Sequence, residues 1–339
     1  MKMIPFGNTG LTVSAVSFGA IPIQRISVEE STKILRKAYD SGINLYDTAR
    51  GYSDSEMKIG TALGDVRKNI VIASKTHANT GDELQRDLDL SLKNLNTDYI
   101  DLYQFHNPNF VPRPGDENGL YDAALKAKKE GKIRHICISS HRLNLANEMV
   151  DSGLFESLQF PLSCISNDED FILEQRCSDA GMGFLAMKAM AGGLITNSKA
   201  AFAYLYEKTN AIPIWGIQHE WELDEFLAYE KNPPVLDSAL LEEIAQIKAE
   251  LSGSFCRGCG YCLPCPAEVP IPMAARLSFM IERSRYERYL EDSWAKQMER
   301  INNCAGCGHC LANCPYQLDV PELLKKQLQY YVDFRKSHI

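Results

Sequence analysis

Eight of the eleven cysteines fall in two short runs, and their spacing is the most specific chemical pattern in the chain. The first is Cys256-x2-Cys259-x2-Cys262-x2-Cys265-Pro266, and the second is Cys304-x2-Cys307-x2-Cys310-x3-Cys314-Pro315. Thiolates repeated every third residue can wrap one face of an iron–sulfur cubane, while a cysteine before proline points elsewhere. The runs therefore predict two 4Fe–4S clusters. Four-thiolate zinc is the alternative, but such sites usually draw ligands from two Cys-x2-Cys pairs set apart by a longer loop. His309 lies inside the second run and reads as a spacer, because the thiolates already suffice. Cys137, Cys164 and Cys177 lie in or beside apolar segments and read as small buried hydrophobes.

A second set of reactive side chains lies far upstream. Asp47-Thr48-Ala49-Arg50-Gly51-Tyr52, Ser74-Lys75 and Phe105-His106-Asn107-Pro108 each follow or end a short apolar run. Singly, Tyr52 would be a loop aromatic, Lys75 a strand-end charge and His106 a satisfied polar residue. Their meaning depends on the elements that carry them. Strands are expected near Val16–Gly19 and at Ile43–Asp47, Ile70–Lys75, Tyr99–Phe105, Arg134–Ser139, Ser157–Phe160, Gly183–Lys188 and Ile212–Gly216. Their consecutive apolar residues suit parallel strands buried on both faces.

Helical patterns lie between these runs. Ser27-Val28-Glu29-Glu30 is a capping box ahead of Ser31–Ser41, which Gly42 closes, and Thr80-Gly81-Asp82-Glu83 opens a helix striped by Leu84, Leu88, Leu92 and Leu95. Regular strand–helix alternation predicts a parallel α/β fold. Eight strands without a Gly-x-Gly-x-x-Gly loop favour a closed (β/α)8 TIM barrel over an open sheet. Met3–Thr12, with Gly7-Asn8-Thr9-Gly10, reads as a hairpin that caps one barrel end. The character changes after Lys231-Asn232-Pro233-Pro234, so the barrel is expected over 1–233 and a mostly α-helical, ferredoxin-like domain over 234–339. Within the latter, Leu236–Leu251 and Pro321–Lys336 read as helices, with a charged helical spacer over Ala274–Ile301.

The 45% hydrophobic content is enough to fill a large core, and the formal charge of −8 argues against a nucleic-acid-coating surface. No segment is apolar for long enough to suggest a signal peptide or a membrane span. The odd number of cysteines and their clustering suit metal ligation in a reducing compartment, which predicts a cytoplasmic protein.

On the residues at the strand ends, the chain resembles the aldo-keto reductases. Their Asp, Tyr, Lys and His tetrad is matched in order by Asp47, Tyr52, Lys75 and His106, and Gly7-Asn8-Thr9-Gly10-Leu11-Thr12-Val13-Ser14 is similar to the family's opening. This likeness covers about 1–230. The tail is similar to the family branch with ferredoxin-type clusters. In two-cluster ferredoxins the cysteine before proline ligates the other cluster. By that pattern Cys256, Cys259, Cys262 and Cys314 hold one cluster, and Cys304, Cys307, Cys310 and Cys265 hold the other. The first run departs from the usual spacing, with two residues rather than three before Cys265.

The resemblance implies nicotinamide-dependent interconversion of a small carbonyl and its alcohol. A hydride arriving at a carbonyl carbon leaves an alkoxide that needs a proton. Tyr52 is the implied donor, Lys75 the cation tuning its phenol, Asp47 the partner of Lys75, and His106 the group orienting the substrate oxygen. It also implies nicotinamide contacts from Ser139, Ser140 and Gln159, with Met187 where the family has a stacking aromatic residue. Lys188, Gly192 and Gly193 would meet the pyrophosphate. The positions where the family clamps the NADP 2′-phosphate with basic residues fall on Gly216 and Glu222, with Glu225 close by. A carboxylate there suits a ribose hydroxyl, so NADH is expected over NADPH. The other reading of Glu220, Glu222, Asp224 and Glu225 is a solvated, dipole-matched helix start.

A nicotinamide exchanges electron pairs and a 4Fe–4S cluster single electrons, and no flavin motif is visible. The clusters could relay electrons to a ferredoxin-like partner or brace the tail. A protein of another class, an electron carrier or scaffold with an altered barrel, is opposed by the complete tetrad. Asn107–Gly119, which contains Arg113, is the loop expected to select substrate.

Overall fold

The computed structural model describes every residue except 252–254, 257–259, 261, 284, 285, 315 and 316. Cys259 and Pro315 therefore lie outside the described residues. The chain forms two compact units, Met1–Ile244 and Ala245–Ile339.

The first unit is the expected closed parallel barrel. A hairpin of β1 (Met3–Pro5) and β2 (Thr12–Ser14) precedes it. The barrel strands are β3 (Ser17–Gly19), β4 (Leu45–Asp47), β5 (Val71–Thr76), β6 (Ile100–His106), β7 (Ile133–Ser139), β8 (Ser157–Pro161), β9 (Gly183–Met187) and β10 (Ile212–Gly216). They pair in chain order, and β10 closes the ring on β3. Helices alternate with them: α1 (Val28–Asp40), α2 (Ser55–Leu63), α3 (Gly81–Leu95), α4 (Leu120–Lys129), α5 (Leu143–Ser152), α6 (Asp168–Asp179), α7 (Ser198–Lys208) and α8 (Glu220–Lys231). The capping boxes at Ser27 and Thr80 both form, each side chain accepting from the backbone of Glu30 or Glu83. Residue 233 lies between α8 and α9 (Ser238–Leu251).

The hairpin plugs the end of the barrel where the strands begin. Phe6 and Val13 pack with Leu45, Val71, Leu102, Leu185 and Ile212, all fully or nearly buried. Gly183 is required there: a Cβ on it would lie 2.5 Å from the Phe6 ring. With that end filled, the strand C-termini face the other mouth, where barrels of this type place their chemistry.

The second unit is mostly helical: α10 (Ile271–Ala274), α11 (Leu277–Arg283), α12 (Asp292–Glu299), α13 (His309–Ala312) and the long α14 (Val320–His338). Helix α14 packs against the other four. Its core joins Leu277, Tyr289, Met298, Leu324 and Tyr331 with two cysteines, Cys256 and Cys262. Among the described residues no helix is long and apolar enough to cross a membrane.

Candidate active site at the barrel mouth

Strand register lines the site up before any side chain is considered. Asp47 pairs with Ala73 across β4–β5, Lys75 with Gln104 across β5–β6, His106 with Ser139 across β6–β7, and Ser139 with Gln159 across β7–β8. These residues end adjacent parallel strands, so the rim brings together positions separated by more than 100 residues.

At the centre is a buried ion pair. Lys75 Nζ donates to Asp47 Oδ1 at 2.7 Å and to the Thr48 carbonyl at 2.6 Å, and Lys75 is only 1% exposed. Burial drives both groups towards their neutral forms, raising Asp47 and lowering Lys75, and their contact opposes this. The amides of Gln159 and Gln104 lie near the Asp47 carboxylate and also oppose the effect of burial on it.

The loop after β4 delivers the tyrosine. Its backbone is tied to β5 by Thr48 N to Ala73 O at 2.8 Å and Arg50 N to Lys75 O at 2.9 Å, and Tyr52 N closes a turn on Ala49 O at 3.0 Å. Below it, Arg50 lies 3.7 Å from Glu56, whose carboxylate accepts from Ser74 Oγ at 2.7 Å. Tyr52 places its ring 5.2 Å from Lys75 Nζ and 5.9 Å from the His106 ring, edge-on. Burial, reinforced by the charge of Asp47, pushes the Tyr52 phenol well above its ordinary range. A lysine field alone would have moved it the other way, so here the phenol holds its proton. Burial, together with the charges of Lys75, His77 and Lys188, lowers His106 well below the usual histidine value. His106 Nδ1 is buried without a partner among the described residues. The ring is a neutral group aimed at the rim.

Gln159 Oε1 is likewise buried and unpartnered among the described residues, as an acceptor for a carboxamide N–H would be. Ser139 Oγ accepts from Asn107 N at 3.0 Å, and Ser140 Oγ accepts from Arg142 N at 3.1 Å, so both hydroxyls already organise loops. Met187 ends β9 beside Pro161. The turn after it runs through left-handed backbone at Lys188, Ala191, Gly192 and Gly193, with Lys188 Nζ 3.3 Å from His141 Nδ1. Gly192 and Gly193, at φ of 72° and 88°, carry no Cβ to obstruct a close ligand. Buried donors and acceptors at Gln159 and a glycine turn near Lys188 are features a dinucleotide fits.

The acidic residues after β10 are occupied locally. Glu222 Oε2 accepts from Gln218 N at 2.7 Å and His219 N at 2.8 Å, capping α8. Glu220 and Asp224 pair with Lys37, and Glu225 accepts from Tyr229 at 2.9 Å. Gly216 is exposed, 3.2 Å separating a hypothetical Cβ from Pro22.

A model of the aldo/keto reductase family matches residues 15–211, more than half of the chain. The chain belongs to the aldo/keto reductase family. This reductase also carries a 4Fe-4S dicluster domain, matched over residues 255–318. Among its relatives is L-galactose dehydrogenase of Arabidopsis thaliana, 27% identical over 65% of this chain and 80% of that protein. Another is the NADH-specific methylglyoxal reductase of Escherichia coli, 23% identical over 75% and 90%. An aldo-keto reductase of Bacillus halodurans in its holo form shares the fold, with a TM-score of 0.63 over 73% of this chain and 96% of the other, at 23% identity.

In the reductase's second unit, Cys265, Cys304, Cys307 and Cys310 line a single open cavity that Cys262 also borders. Among the described residues no three thiol, imidazole or carboxylate groups are drawn into a closed metal cage. Cys304 and Cys307 are exposed, and Cys314 is half-buried. His309 hydrogen-bonds locally with Asn313. Cys137, Cys164 and Cys177 are buried, and burial pushes the thiols of Cys137 and Cys177 up to about 12, which makes them inert at neutral pH.

Two residues of the mouth are not among those the sequence singles out. Gln104 shares the inward face of β6 with His106, and His77 continues the face of β5 that carries Lys75. Both lie two residues from a tetrad member, so the period of a strand was the signal available.

Proposed function

We propose that this chain interconverts a small carbonyl compound and its alcohol, with Tyr52 moving the proton. The observation that carries the reading is the convergence of Tyr52, the Lys75–Asp47 pair and neutral His106 at one rim. A bound nicotinamide supplies the hydride. The phenol of Tyr52, kept protonated by its surroundings, gives its proton to the substrate oxygen as negative charge develops there. Lys75 then lies 5.2 Å from the ring that has become phenolate, and its charge favours that state. Asp47 keeps Lys75 in place. His106 donates to the same oxygen and aligns it with Tyr52.

Ser139, Ser140 and Gln159 would hold the carboxamide end of the nicotinamide, Met187 its ring, and Lys188, Gly192 and Gly193 its pyrophosphate. We assign NADH as the preferred form, because Gly216 and the acidic start of α8, with Glu222 and Glu225, bring carboxylates rather than cations to a 2′-phosphate, while the neighbouring Lys37 is held by two carboxylates and Arg25 hydrogen-bonds to Gln218. The barrel domain is assigned to 1–233, with α9 opening the C-terminal part.

Two 4Fe–4S clusters are assigned to the tail. Cys265, Cys304, Cys307 and Cys310 line one cavity, as one ligand set would, with Cys262 of the other set also on its wall. The other is Cys256, Cys259, Cys262 and Cys314. Such clusters supply single electrons. That Cys256 and Cys262 belong to the hydrophobic core favours a bracing share for the first-run cluster, beside any relay to a ferredoxin-like partner.

The names of the relatives make methylglyoxal and L-galactose the first probes, each assayed with both nicotinamides under anaerobic conditions. Tyr52→Phe is expected to lower kcat by about 10²- to 10⁴-fold with nicotinamide binding intact. Unchanged turnover in that variant would refute the role of Tyr52, and tighter binding of NADPH than NADH would reverse the cofactor assignment.

A further inference from the structure

His77 follows the last residue of β5 and is stacked on His106, with ring centroids 3.9 Å apart and planes inclined by 16°. It also hydrogen-bonds to the backbone of His106. Its other neighbour is Gly51, where an added Cβ would lie 3.3 Å from His77 Cδ2 and 3.4 Å from Nε2. One imidazole thus touches both the loop that delivers Tyr52 and the strand end that delivers His106. The other contacts of the His106 ring hold its plane less firmly: among the described residues its Nδ1 has no partner, and Tyr52 meets it only edge-on.

We propose that His77 is a positioning residue, a stacked second imidazole that fixes the His106 ring plane against Tyr52 and keeps water from one of its faces. This rests on the carbonyl–alcohol reading above. A ring free to rotate about its side-chain bonds would present its donor to the substrate oxygen for only part of the time, and a small misalignment is costly in rate. Stacking restricts that rotation without using either ring nitrogen of His106.

The charged and titratable groups around the pair are Tyr52 and Asp47 from β4 and its loop, Lys75 from β5, and Lys188 after β9 with its neighbour His141, while Asp87 of α3 faces His77. Removing the His77 ring takes away cover and a neighbour whose charge, when it is protonated, opposes that of His106, and both changes make His106 easier to protonate. The acid limb of kcat/KM must then move to higher pH, because only the neutral His106 is the donor the site is built around.

The test compares His77→Ala with His77→Phe, which restores the stack but not the nitrogens. His77→Ala is expected to lower kcat/KM between about tenfold and a hundredfold, mainly through kcat, and to shift the acid limb upward. His77→Phe is expected to recover most of the rate and return the limb. Gly51→Ala, which crowds His77 from the other side, is expected to reproduce the loss in milder form. NMR titration of imidazole-labelled protein gives a readout independent of turnover: with seven histidines, His106 is assignable by difference, and its midpoint should rise in His77→Ala and fall back in His77→Phe. A rate loss with the limb and the midpoint unmoved would mean a merely structural role and overturn the proposal, as would unchanged kinetics. If Tyr52→Phe is fully active while the His106 midpoint still follows His77, the catalytic reading fails and the stacking contact stands.

Discussion

The barrel rim and the cysteine-rich unit are both reactive, but the chain prepares them in different ways. At the rim, most groups sit at or just beyond strand ends and several are satisfied by another protein group: Lys75 by Asp47, Glu56 by Ser74, Asn107 by Ser139. In the second unit the thiols of the Cys304 run lie on irregular chain or a single helical turn, around an open cavity and largely exposed. A site whose side chains neutralise one another can be completed by polypeptide alone. A site whose donors are all thiols repels itself when ionised, so its geometry is completed by the ion it holds.

The largest effect expected from this contrast follows iron removal. Anaerobic chelation should abolish the visible absorption of the clusters and the cooperative melting of the second unit, while the barrel keeps its far-ultraviolet signature and its own transition. Simultaneous collapse of both would break the comparison.

A smaller effect tests the other half. Lys75→Met leaves Asp47 buried without its cation, and calorimetry should show a loss of about 3–5 kcal/mol. Adding Asp47→Asn should recover part of that loss, because the uncompensated charge goes with it. A single variant as stable as the parent would mean the pair is not the element that completes the rim.

The smallest lies at the opposite end of the barrel. Burial alone would raise Glu156, but His135 at 2.7 Å, Lys128 at 2.6 Å and the backbone N–H of Ile136 bring it down to about 2. A depressed carboxylate stabilises the fold fully above its unfolded value of 4.5, and this contribution is lost as pH falls from about 4.5 towards about 2. Glu156 is a third exposed, so after solvent screening the contribution is about 1–2 kcal/mol. Glu156→Gln should flatten the acid limb of a stability-versus-pH curve by that amount. A curve parallel to the parent's would remove the network from the account.

Much of the architecture was legible because its causes are local. Consecutive apolar runs such as Tyr99–Phe105, and caps such as Ser27 with Glu30, are properties of neighbouring residues, and β6 and α1 formed where they predicted. Asp47, Tyr52, Lys75 and His106 stood out through their order along the chain, and the barrel brings them to one rim. Less legible was the use of each carboxylate. Glu222 reads equally well as a ribose contact or a helix cap, and only the folded backbone shows it accepting from Gln218 and His219.

The amino-acid sequence by itself determined the period of the strands, the helix starts, the spacing of the thiols and the residue types at each strand end, all of which depend on separations of a few residues. Tertiary structure decided what meets across the rim. That His77 stacks on His106, that Gln104 turns inward beside Asp47, and that burial holds the Tyr52 proton on rather than off are consequences of ring closure and desolvation. Those forces act between residues that only the closed barrel makes neighbours.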